Sequence, residues 1–340
     1  MKSIQISCPG EMKIIDMALP SIGDEEILLK VKYVGFCGSD LSSFLGRNPM
    51  VNYPVIPGHE VAGVIEGKGD GVPDHIGIGE AVTLIPYTNC GECAACRRGR
   101  PNACQYNQTL GVQRDGAMSE YLAVHWKKIL SSGKLSMKDL ALTEPLTVGF
   151  HAVARGRVEN SDAVAVLGCG IIGVGAIIRA VDLGARVIAV DVDDTKLEMA
   201  KKLGAVFTIN SRKENLSDSL KNINGGSGPD VIIEAAGQPA TYLAAVNAVA
   251  FTGRVVCIGY AKEEIAFATK LFVQKELDIL GSRNACIDDF QSVLNYLGKG
   301  SLPVKNLISS IVPPDKALDS MKTWATNPGD VFKILVDFEH

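Results

Sequence analysis

Four of the chain's nine cysteines fall in one stretch, NCGECAACRRGRPNAC, as Cys90, Cys93, Cys96 and Cys104. Spaced C-x2-C-x2-C-x7-C, they have the donor type and number of a tetrahedral four-thiolate zinc site. With every position filled by protein, such a zinc fastens a loop and catalyses nothing. A redox CxxC pair is the competing reading. Pairs of that kind open a helix in a βα unit, whereas this stretch is a loop with glycine and proline. A working metal needs fewer protein ligands and an open position for water or substrate. Cys37 in GFCGSD, His59 and Glu60 in PGHE, and Glu144 in LTEPLTVGFHAV supply a Cys/His/carboxylate set of that kind. Either carboxylate, or both, can complete it. Taken singly, each has a plain structural meaning: a small core thiol, a satisfied histidine, a charge at a helix end.

A second chemistry is written in LGCGIIG. Gly168, Gly170 and Gly173 form G-x-G-x-x-G, with Ile172 inside the run. The motif alone is weak. Here it follows a strand pattern, opens a helical one, and precedes Asp191, which ends the next strand pattern at the expected interval. The first two glycines allow a tight turn and close approach of backbone to a pyrophosphate, which then faces the helix N-terminus. The third lets helix and sheet pack closely. Asp191 would bond the adenosine ribose hydroxyls and repel a 2′-phosphate. No arginine follows directly in DVDDTK, so NAD is favoured over NADP.

The elements that must position these residues fall into two kinds. Ahead of residue 145 the chain reads as short strands broken by Gly, Pro and Asp, such as EILLKVKYVGFCGSD, EVAGVIEGKGDGV and EAVTLIPY, with no long helical period. From about Ser161 strands and helices alternate: AVAVLG, IIGVGAIIRAVDLGA, RVIAVD, TKLEMAKKLGA, VFTIN, DVIIEAAG, ATYLAAVNAVA, GRVVCIGY and LDILGS. That alternation predicts a doubly wound parallel sheet. DDFQSVLNYLGKG, with Phe290, Val293, Leu294 and Leu297 on one face, and DKALDSMKTWA predict two amphipathic helices before a last strand, FKILVDF. The expected class is α/β, a β-rich domain joined to a nucleotide-binding one.

A chain of 340 residues exceeds one comfortable core and suits two domains. The composition, 46% apolar and 21% charged, is that of an ordinary globular protein, and the net charge of −4 offers no footprint for nucleic acid or an anionic membrane. RRGR at Arg97–Arg100 is the one basic cluster and reads as a solvated loop. MKSIQISCPGEMKI lacks the apolar core of a signal peptide, and no apolar run reaches spanning length. A cytoplasmic location follows as the expectation, where thiols stay reduced, which argues against a disulfide framework.

In order and interval, GFCGSD, PGHE, CGECAACRRGRPNAC, EPLTVGFHA and GCGIIG resemble the zinc-dependent medium-chain dehydrogenase/reductase family, in its polyol (sorbitol-type) branch, over essentially the whole chain. The resemblance implies a GroES-like β-rich catalytic domain (1–148), a Rossmann NAD-binding domain (149–285), and a C-terminal return to the catalytic domain (286–340), with the active site in a cleft between them. It implies two zinc ions per chain, one catalytic and one structural, and a homodimer or homotetramer. Glu144 stands where alcohol-oxidising relatives carry a zinc-binding cysteine and polyol dehydrogenases carry glutamate. Ser39 would receive the substrate's hydroxyl proton. Relatives usually read C-G-[ST]-D-x-H, the histidine completing a proton relay, and this chain has Ser42 there. Serine can pass a proton but titrates too far from neutrality to act as a base.

Arg283 matches the arginine that polyol dehydrogenases place beside substrate, and a guanidinium there suits a carboxylate. GSRNA, PYTNCGECAAC and GVQRDGAMSEY resemble L-galactonate-type dehydrogenases. The expected reaction is therefore oxidation at C5 of a hexonate (L-galactonate, L-gulonate or L-idonate), with hydride passing to NAD+. Sorbitol or xylitol is the alternative, and L-threonine a more distant one. A non-catalytic NAD-responsive protein is the alternative of another class.

Overall fold

A computed structural model describes residues 1–133 and 135–339; Lys134 and His340 lie outside the described residues. The chain divides into two compact units, Met1–Glu144 with Cys286–His340, and Pro145–Ala285.

The first unit is built on a seven-stranded sheet. Its order is Ser310–Val312, Ile334–Asp337, Glu26–Phe36, Glu60–Lys68, Ala81–Leu84 and Ile129–Ser131, with Tyr121–His125 also paired to Glu26–Phe36. The alternation of Ile27, Leu29 and Val31 along the long central strand puts these side chains into a core shared with Ile65, Val82 and Ile334. Two register facts matter for the site. Glu60 lies opposite Gly35 on the neighbouring strand, and Ile334 lies opposite Phe36. The ends of three strands, with Cys37, Glu60 and Lys333 at them, thus meet at one place.

The second unit is a six-stranded parallel sheet in the order Phe207–Asn210, Arg186–Asp191, Ala163–Leu167, Val231–Glu234, Arg254–Cys257 and Asp278–Gly281. This is the Rossmann order, doubly wound, with the strand sequence reversing between Ala163–Leu167 and Val231–Glu234. Every residue of Ala163–Leu167 is buried, as a parallel strand covered on both faces requires.

One element departs from the sequence reading, which places no long helix ahead of residue 145. Met137–Arg155 is a 19-residue helix with Pro145 inside it. Its run from Leu140 to Val153 is buried nearly all round, so no amphipathic period marks it, and an internal proline argues locally against helix. The helix carries Glu144 at mid-length rather than at an end. Among the described residues no helix is long and apolar enough to cross a membrane.

Candidate active site

Cys37 caps the short helix Gly38–Phe44, and the chain's own turn chemistry fixes it there. Asp40, three residues on, accepts from the Cys37 N–H at 2.8 Å and from the Gly58 N–H at 3.3 Å, tying the cysteine loop to the one before His59. Glu60 opens its strand wholly buried, and Gly35 opposite makes room for it: a methyl group there would fall 2.0 Å from Glu60 Oε2. One ligand atom each from Cys37, His59 and Glu60 lie within 4.8 Å of one another.

Glu144 stands outside that set yet acts on it. It receives the hydroxyl of buried Tyr87 on Oε1, and its charge helps raise the pKa of both His59 and Glu60. Burial and Glu144 together hold the Tyr87 phenol well above its usual range, so the tyrosine remains a donor. Burial works against a charge on His59, but Cys37, Asp40 and Glu144 outweigh it and hold the imidazole well above its ordinary value. His59 Nδ1 and Glu60 Oε2 are buried with no hydrogen-bond partner among the described residues. Buried polar atoms are normally paired. A soft sulfur, an imidazole and a carboxylate brought together in an anion-rich pocket, two of them carrying an unsatisfied buried atom, fit a zinc ion with a further position for water or substrate.

Sequence reading missed three supports of this set: Asp40, Tyr87 and Lys333. Lys333 Nζ donates to Glu60 Oε1 at 2.6 Å and to the Phe36 carbonyl at 3.0 Å, so one buried ammonium holds both the carboxylate and the backbone next to Cys37. Asp40 had a signal, the acid three residues after a capping position. Lys333 had none, since it lies 273 residues from its partner.

The four loop cysteines also converge. Their sulfurs stand 3.5 Å (Cys93 to Cys96), 3.6 Å (Cys104 to Cys90) and 3.8 Å (Cys93 to Cys104) apart. A zinc tetrahedron with bonds of about 2.3 Å has edges of about 3.8 Å. Backbone N–H groups of Cys90, Cys93 and Tyr106 point at sulfurs of the cluster, the environment that favours thiolates. Those of Cys96 and Gln105 bring Cys93 down to about 6, while burial and the neighbouring thiols push Cys96 up to about 12, so the first proton leaves the pair easily and the second does not.

In the second unit Gly168 takes φ +97° as the chain leaves its strand, and Gly170 caps the helix Ile171–Asp182. A methyl on Gly173 would lie 1.9 Å from the Gly168 carbonyl oxygen, whereas one on Gly170 would meet nothing within 4 Å. The first fact requires glycine for helix–strand packing; the second leaves the helix N-terminus, with Ile172 in its first turn, open to a phosphate. Asp191 accepts from the N–H groups of Cys169 (2.7 Å), Val192 (2.8 Å) and Asp193 (3.1 Å). An ionised carboxylate offers about four acceptor sites, so about one is left, where the sequence reading has Asp191 serving both ribose hydroxyls.

Ser39 and Ser42 lie one turn apart on the helix Gly38–Phe44, and Ser39 Oγ is buried without a partner among the described residues. Arg283 follows the edge strand Asp278–Gly281 and is half-buried in the nucleotide-binding unit.

Residues 172–299 match the family described as zinc-binding dehydrogenase, and residues 23–134 the alcohol dehydrogenase GroES-like domain. The chain is 32% identical to the L-galactonate-5-dehydrogenase of Escherichia coli K12, covering 97% of each. It is 33% identical to a sorbitol dehydrogenase of Bacillus subtilis, covering 99% of this chain and 97% of that one. A crystal structure of an E. coli CFT073 alcohol dehydrogenase with NADH superposes with TM-score 0.92 at 32% identity, over 99% of both chains.

Proposed function

The chain belongs to the zinc-dependent, GroES-like alcohol dehydrogenases, and from that premise we propose that it oxidises a secondary alcohol of a sugar acid with NAD+ as acceptor. The observation that carries the chemistry is the three-donor set Cys37, His59 and Glu60 with its orphaned buried atoms, set beside a second carboxylate, Glu144.

Cys37, His59 and Glu60 would hold one zinc and the four loop cysteines a second. At the first site a bound zinc would supply the Lewis acidity that lets an alcohol ionise near neutral pH, and bound NAD+ would supply the hydride acceptor. The protein's own part is placement and proton handling. Ser39 Oγ, buried and without a partner among the described residues, would accept the substrate's hydroxyl proton as it gives up its own, and the relay would end in water or with help from Glu144, because Ser42 at the usual histidine position cannot act as a base. Tyr87 holds Glu144 in place, where its carboxylate orients a substrate hydroxyl or a water. Asp191 selects NAD over NADP by its charge.

Similarity to an L-galactonate-5-dehydrogenase supports the sugar-acid reading, with Arg283 as the group for the carboxylate. Similarity to a sorbitol dehydrogenase keeps a neutral polyol as the second reading. NAD+ reduction across L-galactonate, L-gulonate, L-idonate, sorbitol, xylitol and L-threonine, each with and without chelator, separates them. Chelator-sensitive turnover of one hexonate, with a KM that Arg283→Ala raises selectively, is the expected result. Turnover of sorbitol or xylitol alone would return Arg283 to a structural duty. Binding of NADH without turnover of any alcohol would sink the enzyme reading.

A further inference from the structure

Resting on the dinucleotide reading, we propose that Glu234 and Tyr242 are positioning residues for the nicotinamide half of the cofactor, each fixing one of the two turns on which that half lies. In a doubly wound sheet the dinucleotide crosses the carboxyl ends of the strands where their order reverses, one mononucleotide over each half. Here the reversal falls between Ala163–Leu167 and Val231–Glu234. Asp191 and the glycine loop belong to the adenosine side. The other side is the turn after Val231–Glu234, residues 235–238, and the turn after Arg254–Cys257, residues 258–260.

Those turns are pressed together as backbone. A methyl on Gly168 would come 3.0 Å from the Ala236 nitrogen, one on Gly259 would come 2.3 Å from the Gly237 nitrogen, and one on Gly237 3.0 Å from the Tyr260 oxygen. Ala235, Ala236, Gly237 and Gly259 nonetheless keep part of their surface open, so the small residues of these loops form a floor at the mouth of the sheet, with the exposed side chains of Gln238 and Tyr260 at its edges. Close approach of a flat, polar ring is what such a floor permits.

Beneath it the fixing groups are buried. Glu234 is wholly enclosed, and its Oε1 accepts from the N–H groups of Ala236 (3.0 Å) and Gly237 (2.8 Å) and from the Thr241 hydroxyl (2.7 Å). Its Oε2 has no partner among the described residues and sits where a methyl on Gly259 would be 2.8 Å away, so the same carboxylate spaces the second turn. The Tyr242 hydroxyl, from the helix Pro239–Ala248, donates to the Gly259 carbonyl. One acid and one phenol thus set the height of both turns, and neither is part of the glycine motif.

The test compares two ligands that differ in the nicotinamide ring. Affinities for NADH and for ADP-ribose are measured by calorimetry on the wild type, Glu234→Ala, Thr241→Val and Tyr242→Phe. Loss of a charged acceptor serving three donors should weaken NADH roughly tenfold or more in Glu234→Ala, with ADP-ribose changed by less than about threefold. Thr241→Val and Tyr242→Phe, which remove one bond each, should show the same selectivity at roughly two- to fivefold, and they carry the test if Glu234→Ala does not fold. Parallel loss of both ligands would mean a general structural role and overturn the proposal, as would unchanged NADH binding. A wild type that binds neither ligand would instead remove the dinucleotide reading beneath it.

Discussion

Lys333→Met should be costly, and costly in a way that depends on pH. The ammonium and the Glu60 carboxylate are 2% and 0% exposed and 2.6 Å apart, and Nζ also bonds the Phe36 carbonyl at 3.0 Å. Removing one member of a buried pair costs about 3–5 kcal/mol, because the other charge is left without compensation. Glu60 has an escape, which is to take up a proton. Burial already lifts its carboxyl from 4.5 to about 7 against the pull of Lys333, so loss of the lysine must lift it further. A carboxyl raised on folding contributes stability below its unfolded pKa and loses it as pH rises through its folded pKa. In the wild type that loss is complete near pH 7; in the variant it continues above. The difference between the two proteins, measured without metal, should therefore be small near pH 5 and widen above pH 7 toward the full figure. Urea unfolding followed by tryptophan fluorescence reads it cleanly, because both tryptophans, Trp126 and Trp324, belong to the unit that holds the pair. Zinc should shrink the cost by giving Glu60 another cation, and Glu60→Gln in the Lys333→Met background should recover most of it. A cost below about 1 kcal/mol at pH 8, or one equal at both pH values, would refute the reasoning.

Other outcomes follow from the same geometry. Metal analysis of the purified chain should give about two zinc ions, falling toward one in Cys104→Ser with a lower unfolding midpoint; a value unchanged by that substitution would detach the loop cysteines from any metal. Asp191→Asn keeps an acceptor for the N–H of Cys169 but drops the charge, so the NAD-over-NADP ratio of kcat/KM should fall roughly tenfold. An unchanged ratio would place the discrimination elsewhere. Ser42→His installs a group titrating near 6.5 one turn from Ser39 and should alter the pH–rate profile between about pH 6 and 8. A superimposable profile would take position 42 out of the proton path.

What could be read from the sequence was what local chemistry writes locally. Four thiols within fifteen positions, a glycine turn between a strand and a helix, and an acid ending the next strand each constrain a few neighbouring residues, so spacing alone exposes them. Cys37, His59 and Glu60 were nominated by type and brought within 4.8 Å by strand register, which spacing does not state. Lys333, Tyr87 and Glu234 were silent because their meaning lies in partners supplied by other elements: a strand end for the first, a mid-helix acid for the second, a turn and a helix for the third. The helix Met137–Arg155 was missed for the opposite reason, since burial on all sides erases the periodicity that would reveal it.

The charges explain why those silent residues are needed. Cys37, Asp40, Glu60 and Glu144 put four groups able to carry negative charge into one enclosed space, where an isolated buried charge is prohibitively costly. Lys333 can offset only one. The neighbouring negative groups raise the pKa of His59, and burial with Glu144 raises that of Glu60, so both hold protons more tightly than usual, and those protons must leave before a zinc ion can bind. A fixed lysine therefore serves better than a second metal ligand would: it keeps Glu60 Oε1 occupied and leaves Oε2 unpaired, so the carboxylate would have one oxygen to offer a metal, and the fold keeps a buried cation whether or not a metal is bound. On this argument Lys333→Arg, which keeps the charge but spreads it over a fork too wide for a 2.6 Å end-on contact, should hold the fold better than Lys333→Met and still fail to restore the wild-type rate of zinc release to a chelator.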